Sequence, residues 1–375
     1  MSGNGAAAGK LMTQAIQLQL DRVNAKGGIN NKRILLDIFD DKNDKAQAKQ
    51  QALAIVEQNK AVAVIGHWYS SASISGGEIY KKYKIPAISP GSTNVNVTLN
   101  NDWYFRTIFN AKSSGQFLAN YVKKVFKQNA VTIIQEKAAY GSYLADVFAE
   151  TSIQMGSEVK HRWTFDSSKP NLNNILAQIV NRLKTKTDSG VIFLAVQAVE
   201  GIKLVKLMKE AGITNRIISE TSFSEKTFIH GFNQFSIEKN SPGYYTNNIY
   251  VATPLIFDTA NKKAQQFREH YQTVYQEEPD WAGAYASDSV LTLLQAIEQT
   301  NITGQNLIED RQKIRDYLAS INNINKALRG LTGFNYFDEN GDAIKPVSIG
   351  VFRNGSIISA STQLRDVPYI NQLPD

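Results

Sequence analysis

The feature that most constrains this chain is a regular alternation of helix-like and strand-like segments. A first helix is predicted by four apolar residues at helical spacing: Met12, Ile16, Leu20 and Val23. The pair Gly27-Gly28 ends that helix. Residues 33–39 then form a short apolar run rich in strand formers, which predicts a strand. An alanine-rich helix is predicted over residues 46–58.

The same alternation continues along most of the chain. Further strands are predicted over residues 61–65, 86–89, 131–135, 158–164, 191–196, 216–219 and 249–253. Further helices are predicted over residues 76–82, 115–126, 143–155, 175–183, 201–211 and 260–275, and around Tyr285 and Asp288. Strands that alternate with helices form parallel sheets covered by helices on both faces, so we predict the α/β class.

The length of 375 residues exceeds what one hydrophobic core usually supports and predicts two lobes. The fold class is therefore α/β, with two doubly wound parallel-sheet lobes joined by three crossovers. We predict crossings near residues 110–114, 241–247 and 330–346. The first lobe would comprise residues 1–111 and 248–330, and the second lobe residues 112–247 and 331–375.

Composition excludes several functional classes. The chain has no cysteine, which rules out disulfides and thiolate metal sites. No run approaches the roughly 20 apolar residues that a membrane-spanning helix needs. A net charge of +7 is a mild excess over 375 residues, so we expect no nucleic-acid partner.

The sequence shows no catalytic or cofactor motif. It contains neither a phosphate-binding Gly-rich loop ending in Lys-Ser/Thr nor a Gly-x-Ser-x-Gly elbow. The four histidines do not stand at metal-ligand spacing. His67, at the end of a predicted strand, is either a general base or a hydrogen-bonded structural histidine, and we expect the second. We therefore predict no enzyme, no metal and no cofactor.

Hydroxyl-bearing loops follow two predicted strands of the first lobe. Ligands of open parallel sheets bind beyond the carboxyl ends of the strands. The candidate ligand-binding residues in these loops are Trp68, Tyr69, Ser70, Gly91, Ser92 and Thr93. Neutral hydroxyl and amide donors near a helix N-terminus suit a carboxylate. Alternatively, the serines cap a helix, Gly91 turns the chain, and the two aromatic residues belong to the core.

Two groups at strand ends of the second lobe suit an ammonium group. Tyr140 follows the predicted strand 131–135, and Glu220 directly follows the strand 216–219. A carboxylate facing a cleft pairs with a cation, while an aromatic ring covers the bound group and excludes water. Alternatively, Glu220 neighbours a helix cap or forms a surface salt bridge.

Taken together, several phrases resemble the leucine/isoleucine/valine-binding family of ABC-transporter solute receptors, the type I periplasmic binding proteins. The likeness covers nearly the whole chain. Its phrases are Gly27-Gly28-Ile29, Asp40-Asp41-x-x-Asp44, Gly66-His67 with Ser70-Ser71, Ile88-Ser89-Pro90, Tyr140-Gly141, Tyr285-x-x-Asp288, and Gly333-Phe334-x-x-Phe337-Asp338-x-x-Gly341-Asp342.

The resemblance implies two lobes that close on a small, aliphatic amino acid. It places Ser70, Gly91 and Thr93 on the ligand carboxylate, and Tyr140 and Glu220 on its ammonium group. A tyrosine that the family often carries after strand 191–196 is replaced here by Gln197 or Ala198.

The resemblance further implies a periplasmic or extracellular monomer that delivers its ligand to a membrane permease. A ligand-binding sensory domain of a membrane receptor is the alternative use of the same fold. No signal peptide is recognised, because Met1 is followed by Ser-Gly-Asn-Gly-Ala.

One departure concerns the start of the first lobe. Family members open with a short strand of the type Ile-x-Ile-Gly-Val before the Gly/Ala-rich loop, and this chain starts inside that loop. We therefore expect either a truncated first lobe or another segment in the place of that strand.

Overall fold

The computed structural model describes residues 2–364 and contains helices wherever the sequence predicts them. In chain order the α-helices are α1 (Ala6–Asn24), α2 (Lys45–Gln58), α3 (Ser70–Tyr83), α4 (Ala111–Lys124), α5 (Ala139–Gln154), α6 (Leu172–Lys184), α7 (Ala198–Glu210), α8 (Lys226–Gly231), α9 (Ser236–Asn240), α10 (Lys262–Tyr275), α11 (Trp281–Thr300) and α12 (Leu307–Ser320). Helices α8, α9 and α12 were not predicted. None of the helices in this part of the chain is long and apolar enough to span a membrane.

The strands confirm an α/β fold dominated by parallel pairing. They are β1 (Val64–Ile65), β2 (Ala87–Ser89), β3 (Tyr104–Arg106), β4 (Ala130–Glu136), β5 (Glu158–Phe165), β6 (Val191–Ala195), β7 (Ile217–Ser219), β8 (Tyr250–Thr253), β9 (Leu328–Gly330), β10 (Gly333–Asn335), β11 (Ser348–Arg353) and β12 (Ser356–Ser359). One parallel sheet has the order β1-β2-β3, and a larger one has the order β12-β11-β8-β7-β6-β4-β5. Strands β9 and β10 form an antiparallel pair.

The chain divides into two compact units that it crosses between three times. The first unit comprises residues 1–110 and 260–345, and the second comprises residue 111 to 259 and the chain from 346 onward. The predicted boundaries differ at residues 248–259, because β8 pairs with β7 of the second unit. They also differ at residues 331–345, because the β9–β10 pair contacts α11. Residues 365–375, assigned to the second lobe from sequence, lie outside the described residues.

The first unit has a helix layer on each face of its sheet. Ile65, Ile88 and Phe105 pack on the side of α11 and α12. Val64 and Tyr104 pack on the opposite side, with α2 and α3. This alternation is the two-residue period of strands whose two faces are both covered.

The strand predicted over residues 33–39 is absent, and that prediction was wrong. The backbone of Ile34 bonds instead to the side chain of Asn24, with both contacts at 2.9 Å. Leu35 is 81% exposed and Ile38 is 55% exposed. Strand propensity alone does not make a strand, because the backbone N–H and C=O groups need a paired neighbour.

The second unit is built on the larger sheet. Strands β5, β4, β6, β7 and β8 pair in parallel, and β8, β11 and β12 pair antiparallel. Its largest core cluster includes Leu176, Ile192, Leu194, Phe223 and Phe228. The parallel ladder brings the ends of β4, β6 and β7 to one sheet edge, where the residues that follow these strands gather.

Two carboxylates of the family-like phrases are structural. Asp288 of α11 accepts hydrogen bonds from the backbone N–H groups of Leu331, at 2.6 Å, and Thr332, at 2.9 Å. Asp342 pairs with the fully buried Arg106 at 2.5 Å. Both carboxylates therefore tie distant parts of the first unit together through buried, charge-assisted hydrogen bonds.

Candidate ligand-binding site

The first unit joins its two hydroxyl-bearing loops through Ser70. This residue begins α3, and the preceding Tyr69 is the N-cap, which makes no side-chain capping bond. The Ser70 Oγ accepts a hydrogen bond from the backbone N–H of Asn94 at 3.2 Å. Ser70 therefore links the loop after β1 to the loop after β2, and it is not the helix cap that the alternative interpretation assumed.

Ser92 is engaged inside the unit. Its buried hydroxyl donates to the carbonyl of Trp68 at 2.9 Å and lies 2.6 Å from the Ser73 hydroxyl. Its backbone N–H donates to Ser89 Oγ at 3.0 Å. A hydroxyl with these partners has little left for a ligand, so Ser92 holds the loops together.

Thr93 differs from Ser92 in that its hydroxyl is not hydrogen-bonded. The residue is only 1% exposed, and its Oγ1 has no hydrogen-bond partner among the residues that the structure describes. Buried polar groups are nearly always paired, and an unpaired one costs free energy. The nearby N–H of Gly91 makes only a long contact of 3.4 Å to Ser89 Oγ. Thr93 and Gly91 thus keep donor capacity for a ligand.

Trp68 is a packed aromatic residue. Its side chain is buried, and its ring lies 5.0 Å from that of Trp281. A Cβ atom on Gly91 would overlap the Trp68 indole. The alternative interpretation as a core aromatic therefore fits the contacts of Trp68, whereas Tyr69 is half-buried.

His67 is a hydrogen-bonded structural histidine, as expected. Its Nδ1 lies 2.5 Å from Asp41 Oδ2, and its Nε2 lies 3.0 Å from the Tyr80 hydroxyl. Burial raises the pKa of Asp41, but His67 and the backbone N–H of Asn43 together lower it more and leave that pKa below its usual value.

Glu220 is the focus of the second unit. Its side chain is fully buried, and its Oε2 accepts bonds from the Tyr140 hydroxyl at 2.7 Å and the Thr221 hydroxyl at 2.6 Å. The backbone N–H of Thr221 donates to the same oxygen at 2.9 Å. The other oxygen, Oε1, has no hydrogen-bond partner in the described part of the chain. Of the two alternatives for Glu220, a surface salt bridge is excluded by this burial, whereas a capping role is observed, since Glu220 is the N-cap of the short 3-10 turn Thr221–Ser224.

Among residues 2–364, no lysine, arginine or histidine forms an ion pair with Glu220. Burial raises its pKa, and the hydroxyls of Thr221 and Tyr140 oppose that rise. The nearby Ser114 hydroxyl also lowers the pKa of Glu220. In the described residues, neither Ser114 Oγ nor Glu220 Oε1 forms a hydrogen bond. Burial likewise raises the pKa of Tyr140 well above its usual value, which keeps it a donor. This site would be completed by a cationic ligand group.

Gln197 is the N-cap of α7, at the end of β6. Its backbone N–H donates to Glu136 Oε2 at 3.3 Å. Burial and the neighbouring Glu136 raise the pKa of Glu200, in the first turn of α7, to about 6. Gln197 thus stands beside two buried carboxylates that have no ion-pair partner among residues 2–364.

Sequence reasoning missed three residues of the Glu220 cluster. Thr221 bonds to the carboxylate, Ser222 lies 3.4 Å from the Tyr140 hydroxyl, and Ser114, in the first turn of α4, lies close enough to Glu220 to affect its pKa. The signal for Thr221 and Ser222 was their position directly after Glu220. Ser114 had no local signal, because it comes from a distant part of the chain. In residues 2–364, no group of three or more His, Asp or Glu side chains is arranged to hold a metal ion.

Known proteins similar to this chain include a protein family, curated relatives and solved structures. A family model described as periplasmic binding protein matches residues 1–356. An amino acid binding protein of Pseudomonas aeruginosa is 31% identical over 58% of each chain. A Leu/Ile/Val-binding protein homolog of Brucella abortus is 31% identical over 42% of this chain and 43% of its own. The matched segments thus span about three fifths or less of these curated relatives.

Solved structures match over more of the chain. The branched-chain amino acid transporter substrate binding protein LivJ of Streptococcus pneumoniae, solved in complex with isoleucine, is 25% identical, with a TM-score of 0.82 and 97% coverage of both chains. The likeness extends over both compact units and confirms the predicted fold class.

Proposed function

Because this chain belongs to the periplasmic binding protein family, we propose that it is an extracytoplasmic receptor that binds a small amino acid. It would deliver that ligand, as a monomer, to the permease of an ABC transporter. The ligand we favour is aliphatic, since named relatives bind leucine, isoleucine and valine. The family is one of binding proteins, so we propose neither an enzymatic activity nor a cofactor.

The unpaired Oε1 atom of Glu220 is the observation that most supports this proposal. A fully buried carboxylate with one unpaired oxygen is costly unless a cation reaches it. The ammonium group of an amino acid supplies that cation and three hydrogen-bond donors. The fixed hydroxyls of Tyr140 and Thr221 hold the carboxylate in place, which reduces the ordering that binding requires.

The unpaired hydroxyl of Thr93 also supports an amino acid as the ligand. A buried hydroxyl and the N–H of Gly91 are neutral donors of the kind that bind a carboxylate. We therefore assign Thr93, Gly91 and Ser70 to the ligand carboxylate, and Tyr140 and Glu220 to its ammonium group.

Isothermal titration calorimetry with leucine, isoleucine and valine tests this function. We expect a dissociation constant in the micromolar range, as is usual for binding worth about 8 kcal/mol. Glu220→Gln should weaken binding by about 2 kcal/mol or more, because it removes a buried charge pair. The exposed Glu158, at the start of β5, provides a matched control, since Glu158→Gln should leave the affinity unchanged.

Ligands without an ammonium group separate this proposal from its competitors. The corresponding 2-hydroxy and 2-keto acids should bind much more weakly than the amino acids. Equal affinity for these acids, or a Glu220→Gln variant that binds as the unaltered protein does, would overturn the proposed ammonium site. If a folded sample is stabilised by none of the amino acids, the receptor function itself fails.

A further inference from the structure

Arg106, the last residue of β3, is a fully buried arginine that contacts the loop carrying Thr93. Its Nη1 donates a hydrogen bond to the backbone carbonyl oxygen of Ser92 at 2.9 Å. That oxygen belongs to the peptide bond whose N–H is the amide of Thr93. Because a peptide unit is planar, a guanidinium that fixes its carbonyl also restricts the direction of its N–H. Arg106 therefore orients the backbone donor of Thr93.

The donors of Thr93 are unused, although the loop on either side of it is hydrogen-bonded. In residues 2–364, the Thr93 N–H donates to no backbone carbonyl and its hydroxyl has no hydrogen-bond partner. The N–H of Ser92 donates to Ser89 Oγ at 3.0 Å, and the N–H of Asn94 donates to Ser70 Oγ at 3.2 Å. The loop is thus held before and after Thr93, and the two donors of Thr93 are left for a ligand.

Arg106 is itself held by a buried network. Its Nε donates to Asp342 Oδ1 at 2.5 Å, and its Nη2 donates to the Thr98 hydroxyl at 2.7 Å. The Thr98 hydroxyl donates to the same Asp342 oxygen at 2.5 Å, and Asn110 Nδ2 donates to the other, Oδ2, at 2.7 Å. Only arginine presents enough donors in a fixed fork to reach these partners and the loop carbonyl at once.

The charge of Arg106 also acts on the peptide that it holds. The ion pair with Asp342 offsets the cost of burying the guanidinium. A charge-assisted bond to the carbonyl oxygen polarises the peptide, and bonds at the two ends of one peptide unit strengthen each other. The Thr93 N–H is therefore a stronger donor to an anion than an ordinary backbone amide.

We propose that Arg106 is a positioning residue for the ligand carboxylate, acting through the peptide bond between Ser92 and Thr93. It orients the N–H and hydroxyl of Thr93 toward the carboxylate and stabilises that anion without touching it. This inference rests on the proposed amino acid ligand. Because Arg106 acts on the carboxylate end alone, its substitution should weaken ligands that carry a carboxylate more than neutral analogues.

Titration calorimetry of Arg106→Lys with leucine and leucinamide tests the proposal. Leucinamide keeps the ammonium group and has a neutral amide in place of the carboxylate. Lysine keeps the positive charge, but its single nitrogen cannot reach all the partners of Arg106. We expect the affinity for leucine to fall about tenfold, the usual effect of a misplaced charge-assisted bond. The affinity for leucinamide should fall by about threefold or less, because no ionised group is lost from its contacts.

Arg311→Lys is the matched control. Arg311 is another buried arginine of the first unit, and its Nε donates to a backbone carbonyl, that of Ala61, at 2.9 Å. Its substitution should lower the melting temperature, as Arg106→Lys does, because it also disturbs a buried hydrogen bond. The affinities for both ligands should stay within about twofold of those of the unaltered protein, because its contacts include no residue of the Thr93 loop.

Thr98→Val is a milder variant that tests the same role if Arg106→Lys does not fold. It removes one partner of Arg106 and one donor to Asp342. The affinity for leucine should fall about threefold, with a smaller change for leucinamide. Its control, Thr292→Val, removes a buried hydroxyl that donates to the Asp288 carbonyl at 2.7 Å and should leave both affinities unchanged.

Hydrogen exchange in the ligand-free protein tests the positioning role without any ligand. The amides of Ser92 and Asn94 should exchange about tenfold faster in Arg106→Lys, because the loop is no longer held by its carbonyl. They should exchange at the normal rate in Arg311→Lys. Circular dichroism checks that the variants are folded.

Three outcomes overturn the proposal. Unchanged exchange at Ser92 and Asn94 in both Arg106→Lys and Thr98→Val would show that Arg106 does not hold the loop, whatever the ligand. Equal losses of affinity for leucine and leucinamide would show that Arg106 only stabilises the unit. Absence of amino acid binding by the unaltered protein would refute the proposed function and the ligand role of Arg106 with it, while the exchange rates would separately decide whether Arg106 holds the loop.

Discussion

Buried polar groups separate the residues that bind ligand from those that hold the site. Ser92 and Glu220 are both buried. Ser92 is hydrogen-bonded within its unit, whereas one oxygen of Glu220 and the hydroxyl of Thr93 have no partner. An unpaired buried group destabilises the free protein, and a ligand that pairs with it recovers that free energy on binding. Ligand affinity and the stability of the free protein should therefore respond oppositely to mutation at these positions.

Glu220→Gln should stabilise the ligand-free protein. Burial raises the pKa of this carboxyl, so the folded state binds its proton more tightly than the unfolded state does. The contribution of Glu220 to the free energy of unfolding therefore falls as the pH rises above the usual carboxyl range. At neutral pH the free energy of unfolding of the variant should be about 1 kcal/mol higher, and its melting temperature should rise accordingly. Differential scanning calorimetry at several pH values measures this, and a lower melting temperature at neutral pH would contradict it.

The same carboxyl makes ligand affinity depend on pH. A bound ammonium group favours the ionised form, so protonation competes with ligand. Affinity for the amino acid should fall as the pH is lowered from about 8 to about 5. Titration calorimetry across this range should show the decline in the unaltered protein and little of it in Glu220→Gln. A pH-independent affinity in both would show that Glu220 does not meet the ammonium group.

Thr93→Val and Ser92→Ala should have opposite effects. The first removes a hydroxyl that bonds to nothing in the free protein, so its stability should be unchanged or higher while ligand affinity falls about tenfold. The second breaks bonds to Trp68 and Ser73 and should lower stability by about 1 kcal/mol. Thermal unfolding and calorimetric titration of both variants test the pair, and a destabilised Thr93→Val would refute this distinction.

At the scale of elements, helices were easier to predict from the sequence than strands. Helical periodicity is local, and α1, α2 and α7 lie close to their predicted positions. Strand formation depends on a partner that is distant in sequence, so residues 33–39 were predicted as a strand and are not one. Strands β3, β9, β10, β11 and β12 were not predicted, because the pairing that defines a strand becomes visible only in the folded structure. Close approaches between elements could not be predicted from the sequence either.

Two helical glycines should respond oppositely to one substitution. At Gly141 of α5, a Cβ atom would lie 2.5 Å from the carbonyl oxygen of Ala195 and 2.7 Å from that of Glu136. Neither backbone can move easily, so Gly141→Ala should destabilise the protein by about 2 kcal/mol and displace Tyr140. At Gly283 of α11 the nearest atom would be 3.5 Å away, so Gly283→Ala should stabilise by about 0.5–1 kcal/mol.

Urea unfolding measures both glycine variants. Ligand titration should show weakened binding only for Gly141→Ala, because only that glycine positions Tyr140. Equal effects of the two substitutions on stability would contradict the close approach at Gly141.

At the scale of the whole molecule, the two units differ in how fully their sheets are paired. The second unit has the larger sheet, with strand β4 paired on both sides. The first unit has the short strand β1 at an apolar edge. Unpaired backbone and exposed apolar residues such as Leu35 lower the local free energy of opening.

Hydrogen exchange should therefore be faster in the first unit. Amides of residues 35–39 should exchange within the dead time of a mass-spectrometric experiment, whereas those of β4 should be protected about 1000-fold or more. Uniform protection of both segments would contradict the unpaired edge.

The sequence by itself determined the α/β class, the two-unit division, most of the helices and the strand-end loops, because periodicity, turn residues and length act locally or additively. It also placed Glu220 and Thr93 in such loops. Only the tertiary structure decided that Ser92 is hydrogen-bonded and Thr93 is not, that Ser114 lies near Glu220, and that residues 35–39 have no backbone partner among residues 2–364. Each of these depends on which distant atoms meet, and hydrogen bonds and close packing are decided at contact distance.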